Sequence, residues 1–167
     1  MASHLEQLLG EYYEWQGCLV RRNIHVGKQS RGGHETELDI VAYHPQKKQL
    51  LHIEPSLDGH TWTTREVRYK KKFDAGRKYI FEKIFPWLDT NTQLQQIAIF
   101  PSAGKTRREL AGGQVRTVDE VMAEIRDAIK KEGSLGRKAI SEQFPLLRTV
   151  QLVMCGLVKP INTSNDE

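Results

Sequence analysis

Two short apolar segments separated by a polar turn constrain the fold of this chain more than any other feature. Residues 37–43 (ELDIVAY) and 49–53 (QLLHI) each have the length and composition of a β-strand. The segment between them, residues 44–48 (HPQKK), is polar and contains a proline, which is typical of a turn. Because short connections join antiparallel neighbours, the two strands are predicted to form a hairpin.

Helices and further strands are predicted on both sides of this hairpin. Before it, we predict a helix over residues 3–16, a strand over residues 18–26 and a glycine-rich loop over residues 27–34. After it, we predict a helix that ends near Pro86, with Tyr69, Phe73, Gly76, Ile80 and Ile84 on one face, and then a strand over residues 95–100. A further helix is predicted to begin at a Thr117–Glu120 capping box and to run to about residue 131. The last predicted helix covers residues 141–155. A meander of three strands followed by a helical crossover to a fourth implies a mixed sheet. The predicted fold class is therefore α/β, with a mixed β-sheet flanked by helices.

The length and composition of the chain indicate one domain. A chain of 167 residues can bury a core, and a single domain is predicted over residues 1–160, with a disordered tail over residues 161–167. No apolar run approaches the roughly 18 residues of a membrane span, and the N-terminal residues lack the basic leader of a signal peptide. Cys18 and Cys155 stand in apolar contexts and are predicted to be reduced. We therefore expect a cytoplasmic protein without a membrane partner.

Basic residues are concentrated in two segments of the chain. The formal net charge is +4, and the sequence pI is about 9.1. Residues 65–83 contain eight basic and three acidic residues, and a second basic cluster follows Pro101. Two separated clusters favour contact with a polyanion, whereas the alternative interpretation is a solvated helix face. The candidate nucleic-acid contacts are Arg65, Arg68, Lys70, Lys71, Lys72, Lys105, Arg107 and Arg108.

One acidic residue on each strand of the hairpin is a candidate metal ligand. Alternate residues of a strand point to the same side, so an antiparallel hairpin can bring Asp39 beside Glu54 if the second strand continues beyond residue 53. Two adjacent carboxylates disfavour joint ionisation. A divalent cation such as Mg²⁺, which prefers a few carboxylate oxygens together with water and phosphate oxygens, removes that cost. Paired strand carboxylates beside a basic helix are therefore predicted to form a phosphodiester-hydrolysing site.

The hairpin sequence resembles that of a known nuclease superfamily. Residues 32–56 (GGHETELDIVAYHPQKKQLLHIEPS) are similar to the motif of PD-(D/E)XK, or restriction-endonuclease-like, nucleases. In the Holliday-junction-resolvase, Mrr-like and RecB-like branches this motif runs E-x-D-apolar-apolar-A, a turn, then apolar-E-V-K. The helix and the WQGCLVRRN segment that precede the hairpin resemble those branches as well. The resemblance covers residues 5–84, within a predicted motif-bearing core of residues 5–101, and implies a restriction-endonuclease-like sheet.

The resemblance also implies roles for individual residues. Asp39 matches the motif aspartate and Glu54 the second acid, so both are expected to hold Mg²⁺, for which Mn²⁺ can substitute, together with the backbone carbonyl of Pro55. Glu6 matches the acid that some branches place on the first helix, and Glu11 is the competing choice. His52 shares a strand face with Glu54; it is either a neighbour of the site or an ordinary polar strand residue.

Position 56 departs from the family pattern. Ser56 stands where the family has the lysine that orients and activates the attacking water, and serine supplies no positive charge. Either a cation arrives from elsewhere, with Lys72 or Lys71 the best choices, or the site is degenerate. Pro55 lacks a backbone N–H, so a bulge or an early end of the strand is predicted there.

The function expected from this pattern is that of a hydrolase acting on DNA. The first hypothesis is a Mg²⁺-dependent DNA endonuclease, or the nuclease subunit of a larger DNA-processing complex, and family precedent suggests a homodimer. Its predicted catalytic residues are Asp39, Glu54, Ser56, Lys72 and Glu6. The second hypothesis is a DNA-binding module of the same fold that has lost catalysis. The third is a protein-interaction domain without a nucleic-acid role.

Overall fold

The computed structural model describes residues 3–30, 32–104, 106–132 and 139–156. Within these ranges the strands are β1 (Leu19–Lys28), β2 (His34–His44), β3 (Gln49–Pro55), β4 (Leu94–Phe100), β5 (Glu109–Leu110) and β6 (Gly113–Thr117). The helices are α1 (His4–Trp15), α2 (Trp62–Tyr79), α3 (Val118–Glu132) and α4 (Pro145–Met154), and a π-helical turn, Ile80–Ile84, extends α2. Lys105 and the predicted tail over residues 161–167 lie outside the described residues.

The strands form one mixed sheet in the order β1–β2–β3–β4–β6–β5. β2 pairs antiparallel with both β1 and β3, β4 pairs parallel with β3 and β6, and β5 pairs antiparallel with β6. The predicted hairpin is confirmed, and so is the α/β class with a mixed sheet flanked by helices. The chain crosses from β3 to its parallel neighbour β4 through α2, as a parallel connection requires.

The short strands β5 and β6 are absent from the sequence-based prediction. The sequence of β6, GQVRT, has little apolar alternation, so its local pattern does not indicate a strand. Its position is determined by packing: Val115 is 1% exposed, and a Cβ added at Gly113 would lie 2.3 Å from the Phe73 ring. Burial against other elements therefore places this strand, as often happens when strand propensity is weak.

The helix ends follow local sequence signals. The predicted capping box is confirmed, because the Glu120 N–H donates to Thr117 Oγ1 at 3.2 Å and the Thr117 N–H donates to Glu120 Oε2 at 2.9 Å. α4 begins at Pro145, four residues later than predicted; proline fits the first helical turn because its missing N–H has no partner to lose there. No helix in the described ranges combines the length and apolar character needed to cross a membrane.

Different helices pack on the two faces of the sheet. Ile40 and Ala42 of β2 pack with α1, α3 and α4 in one apolar cluster. Val41 and Tyr43, which alternate with them, pack with α2 in another. By the same alternation Asp39 lies on the α2 face. β3 places Glu54 there too, since the α2 residue Tyr69 donates its hydroxyl hydrogen to the Glu54 carbonyl oxygen at 3.1 Å and Lys72 contacts the Glu54 side chain.

Candidate active site

The strand register brings the two predicted carboxylates together. The β2–β3 ladder ends at the pair Ile40 and Ile53, so the next opposing residues are Asp39 and Glu54. In place of a ladder bond, the Asp39 N–H donates to Glu54 Oε1 at 3.1 Å. The carboxylate of one strand thus satisfies the backbone of the other at the point where the strands separate.

The ammonium group of Lys72 lies between these two carboxylates. Lys72 Nζ donates to Asp39 Oδ1 at 2.8 Å and also contacts Glu54 Oε2. Lys71, the other choice left open by the sequence, is exposed. Although residue 56 is serine, an ammonium group from α2 therefore lies at the carboxylate pair.

Burial and mutual repulsion determine the protonation of this cluster. Burial, followed by the charge of Glu54, raises the pKa of Asp39 to about 8. Burial also raises the pKa of Glu54. Burial alone would lower the pKa of Lys72, but the two carboxylates outweigh it and raise that pKa above its ordinary value. The carboxylate pair is thus stable only with a proton or a cation between its members.

The end of β3 agrees with the expectation for Pro55. The strand ends at this residue, which confirms the predicted early end. The Ser56 N–H donates to the Ile99 carbonyl of β4 at 2.9 Å. Since N–H groups alternate along a strand, the missing N–H of Pro55 would point toward β2, where the ladder has already ended. The proline therefore removes no ladder bond.

Ser56 lines a cavity beside Asp39 and Lys72, but its hydroxyl group is hydrogen-bonded to another residue. Ser56 Oγ donates to Asp58 Oδ2 at 2.6 Å. The cavity, of about 310 Å³, is lined by Ser3, Leu5, Glu6, Asp39, Pro55, Ser56, Leu57, Arg68, Tyr69 and Lys72. Four of the five predicted catalytic residues line this cavity: Glu6, Asp39, Ser56 and Lys72. The fifth, Glu54, is fully buried.

The structure separates the two candidate acids of α1. Glu6 reaches the cavity, and its Oε2 accepts a hydrogen bond from the amide of Asn23 at 3.3 Å. Glu11 is 3% exposed and accepts the N–H groups of Leu146 and Leu147 at 2.9 and 3.0 Å. Glu11 therefore caps the first turn of α4, and Glu6 is the acid of the candidate site.

Two further residues contact the acids of the site: Asn23, which the sequence-based candidates do not include, and His52, for which two interpretations were left open. Asn23 has a φ of +52°, a conformation that asparagine tolerates better than most residues, and it fixes Glu6. Its place depends on the β1 register, so no local signal identifies it. His52 is fully buried, and its Nε2 lies 2.7 Å from Glu54 Oε1. Burial lowers the pKa of His52 to about 3, so the ring is neutral and the contact is a hydrogen bond. The alternation of β3 was the available signal for this residue.

The donor set suits a hard divalent cation. Asp39 and Glu54 each direct one carboxylate oxygen at the same positive group, and Glu6 borders the same cavity. Mg²⁺ and Mn²⁺ prefer such oxygens and retain several waters. In the described part of the chain, no group of three or more histidine, cysteine, aspartate or glutamate side chains is arranged around a common metal position. A metal here would hence complete its coordination with water, a backbone carbonyl or phosphate.

Arg65 does not belong to a nucleic-acid surface. It lies on the inner face of α2, with Tyr69 and Phe73 at successive intervals of four residues, and it is 7% exposed. Its Nη2 donates to the Asp58 carbonyl at 2.7 Å, and its guanidinium lies 4.1 Å from the Phe100 ring centre. The expectation for Arg65 is corrected: helical spacing places it in the core, where it anchors the loop that precedes α2.

The remaining basic candidates that the structure describes have different neighbours. Arg68 lines the cavity and pairs with Asp58 at 2.9 Å. Lys70 lies about 160° around α2 from Lys72 and pairs with Asp74 at 3.1 Å. The other described candidates are Lys71, which is exposed, Arg107, which lies 4.7 Å from the Trp62 ring centre, and Arg108, which pairs with Glu120. Arg68 and Lys72 are thus the basic side chains at the cavity.

Chemically, the cluster combines two buried carboxylates, a lysine and a nearby exposed arginine at one cavity. The carboxylates can hold a cation, the lysine can donate to a water or an anion, and the arginine can pair with phosphate. Comparisons of the chain with protein-family models, with curated proteins and with solved structures found no match.

Proposed function

We propose that this chain is a divalent-metal-dependent nuclease that hydrolyses phosphodiester bonds in DNA, with a site of the PD-(D/E)XK type. The observation that carries the proposal is the contact of Lys72 Nζ with both Asp39 and Glu54. The motif requires two strand carboxylates and a lysine at one point. Here the lysine comes from α2, although Ser56 occupies its usual position.

Each residue of the cluster has a role in this proposal. Asp39 and Glu54 would hold the metal; the chemistry that a bound divalent cation supplies is polarisation of the phosphate and a lower pKa of water. Lys72 orients that water and neutralises charge that develops on the phosphate oxygens. Glu6, whose Oε2 accepts a hydrogen bond from the Asn23 amide, lines the same cavity and could accept a hydrogen bond from a water there.

Charge and access support a nucleic acid as the substrate. The cavity opens beside Arg68, whose side chain is 49% exposed, and Lys72 lines the same cavity. Arginine pairs well with a phosphate diester, and affinity for a nucleic-acid backbone rises with the number of such contacts. The chain would act alone, as a homodimer, or as the nuclease subunit of a larger DNA-processing complex.

Cleavage of supercoiled plasmid DNA in Mg²⁺ or Mn²⁺ tests the proposal. Wild-type protein should nick the plasmid slowly. Asp39→Ala should abolish cleavage while DNA affinity stays nearly unchanged, because affinity rests on the basic side chains. Lys72→Ala should reduce the rate, whereas Lys70→Ala, on the opposite side of α2, should not. Wild-type protein that is inert with both metals would refute the nuclease, and activity that survives in identically purified Asp39→Ala would identify a contaminant.

An exchange of the residues at positions 56 and 72 tests whether Lys72 substitutes for the family lysine. Ser56→Lys alone would place a second ammonium in a cavity that already contains Lys72. The double variant Ser56→Lys/Lys72→Ser instead moves the charge to the position that it has in the family. We expect this variant to regain part of the activity that Lys72→Ser loses. Lack of any recovery, with the fold intact, would show that the two lysine positions are not equivalent.

A second candidate function is a DNA-binding module without catalysis. One observation favours it: Lys72 already neutralises the carboxylate pair, so the cluster is stable without a metal. This hypothesis predicts DNA binding with no stabilisation by Mg²⁺ or Mn²⁺. A thermal-unfolding titration with each metal distinguishes it from the nuclease, which must show metal-linked stabilisation.

A further inference from the structure

A line of polar side chains leads from the surface through the protein core to Glu54. Arg77, whose side chain is 47% exposed, contacts Gln96 Oε1. Gln96 Nε2 lies 3.1 Å from His52 Nδ1, and His52 Nε2 lies 2.7 Å from Glu54 Oε1. Gln96 is 7% exposed, and both His52 and Glu54 are fully buried. Each member bonds the next, so the orientation of one determines that of its neighbour.

The orientation of the Gln96 amide is determined by two neighbours of opposite character. The Phe73 carbonyl can only accept, and it receives a hydrogen bond from Gln96 Nε2 at 2.8 Å. The Arg77 guanidinium can only donate, and it contacts Gln96 Oε1. A reversed amide would oppose both contacts. The amide nitrogen therefore faces His52.

This amide in turn determines the tautomer of His52. An amide N–H donates, so His52 Nδ1 must accept and the ring hydrogen is on Nε2. Nε2 then donates to Glu54 Oε1. The ring is also held in place by α2, since a Cβ added at Gly76 would lie 2.3 Å from Nδ1. Only glycine at that position lets the helix approach so closely.

The two oxygens of Glu54 consequently have different surroundings. Oε1 accepts two N–H groups, from His52 Nε2 at 2.7 Å and from the Asp39 backbone at 3.1 Å. Oε2 is the oxygen in contact with Lys72. We propose that His52, oriented by Gln96, is a positioning residue that occupies Glu54 Oε1 and leaves Oε2 as the single oxygen of Glu54 available to a cation. For a metal, this inference rests on the proposed function.

The first test is the tautomer of His52, which a nuclear magnetic resonance experiment measures without reference to activity. Long-range ¹H–¹⁵N correlations of the uniformly labelled protein distinguish hydrogen on Nε2 from hydrogen on Nδ1, and His52→Gln identifies the signals among the six histidines. We expect hydrogen on Nε2. In Gln96→Glu, carboxylate oxygens face both ring nitrogens, so Nδ1 should carry a hydrogen in addition to Nε2. Gln95→Glu, the same change at the exposed neighbour on β4, should leave the tautomer unchanged. Hydrogen on Nδ1 in the wild-type protein would overturn the inference.

The second test is calorimetric titration with Mn²⁺. His52→Leu removes the donor to Oε1 and should weaken Mn²⁺ binding about 10–100-fold, the usual effect of losing a partner of a metal ligand. His52→Gln retains an N–H donor and should recover part of that loss, which a residue needed only for packing would not show. A folded His52→Leu variant with wild-type Mn²⁺ affinity would overturn the inference. If His52→Leu does not fold, the tautomer of the wild-type protein decides.

The outcomes separate this inference from the nuclease proposal. If wild-type protein binds no Mn²⁺, the nuclease proposal fails. The inference that His52 occupies Glu54 Oε1 then depends on the tautomer of His52: a ring hydrogen on Nε2 supports it, and a ring hydrogen on Nδ1 refutes it.

Discussion

Replacement of Lys72 by methionine removes the positive charge of the side chain that contacts both Asp39 and Glu54 and keeps a side chain of similar length. The side chains of Glu54 and Asp39 are 0% and 13% exposed. Loss of one partner from a buried ion pair costs about 3–5 kcal/mol. The cost here should be smaller, because Lys72 is 23% exposed and Asp39, whose pKa is raised to about 8, can take up a proton. We expect a loss of about 2–3 kcal/mol in the free energy of unfolding at neutral pH.

Urea denaturation in metal-free buffer measures this loss, and the same experiment in Mn²⁺ tests its cause. A divalent cation can replace the ammonium between the carboxylates. Mn²⁺ at about 100 times its dissociation constant should therefore restore about 2.7 kcal/mol. The variant should also gain more from Mn²⁺ than the wild-type protein does, since the metal no longer competes with Lys72 for the same oxygens.

The matched control is Lys71→Met. Lys71 is exposed on the same helix, so its replacement should change the stability by no more than about 0.5 kcal/mol. The reasoning is refuted if Lys72→Met is as stable as the wild-type protein in metal-free buffer, or if its loss of stability does not respond to Mn²⁺.

Three further predictions follow from contacts around the site. Although burial raises it, the hydrogen bond from Ser56 and the charge of Arg68 hold the pKa of Asp58 below its ordinary value. A carboxylate with a lowered pKa stabilises the fold when the pH is above its ordinary pKa, and this stabilisation is lost as the pH falls. In chemical denaturation, Asp58→Asn should therefore lower the free energy of unfolding by about 1 kcal/mol at pH 7 and progressively less below about pH 4. An equal loss at both pH values would contradict this prediction. Glu11→Ala should lower stability by about 1–2 kcal/mol in thermal unfolding, because two N–H groups of α4 lose their acceptor, and unchanged melting would show that they find another. Arg68→Ala should lower the slope of log affinity for duplex DNA against log salt by about 0.9, whereas Lys70→Ala should leave it unchanged; equal effects would mean that the cavity side of α2 is not the contact surface.

The parts of the site that were predictable from the sequence are those determined by local spacing. The strand alternation and the polar turn place Asp39 beside Glu54, and these two residues lie on adjacent strands as expected. Proline chemistry likewise predicted the end of β3. For the missing cation, the sequence left Lys72 and Lys71 of α2 as alternatives. The candidate nucleic-acid contacts grouped the buried Arg65 with its exposed neighbours, although its spacing of four residues from Tyr69 matches the buried face of the helix.

The rest depends on contacts between distant segments. The choice between Glu6 and Glu11 is decided by α4, which lies more than 130 positions later in the chain and supplies the N–H groups that Glu11 accepts. Asn23 reaches Glu6 only through the register of β1. Strand β6 is fixed by packing against Phe73. None of these contacts leaves a periodic or compositional signal in the residues concerned, so sequence patterns could not reveal them.

The arrangement of the three charged side chains also has a consequence for the order of folding. Asp39 and Glu54 meet when the hairpin closes, whereas Lys72 arrives only when α2 docks on the sheet. A hairpin that formed first would bring two acidic side chains together without a compensating cation, which is unfavourable near neutral pH. The open end of the hairpin is therefore expected to close together with helix docking, so that this part of the sheet and α2 form as one cooperative unit. An isolated peptide spanning β2 and β3 should accordingly pair near its turn and remain frayed at the carboxylates.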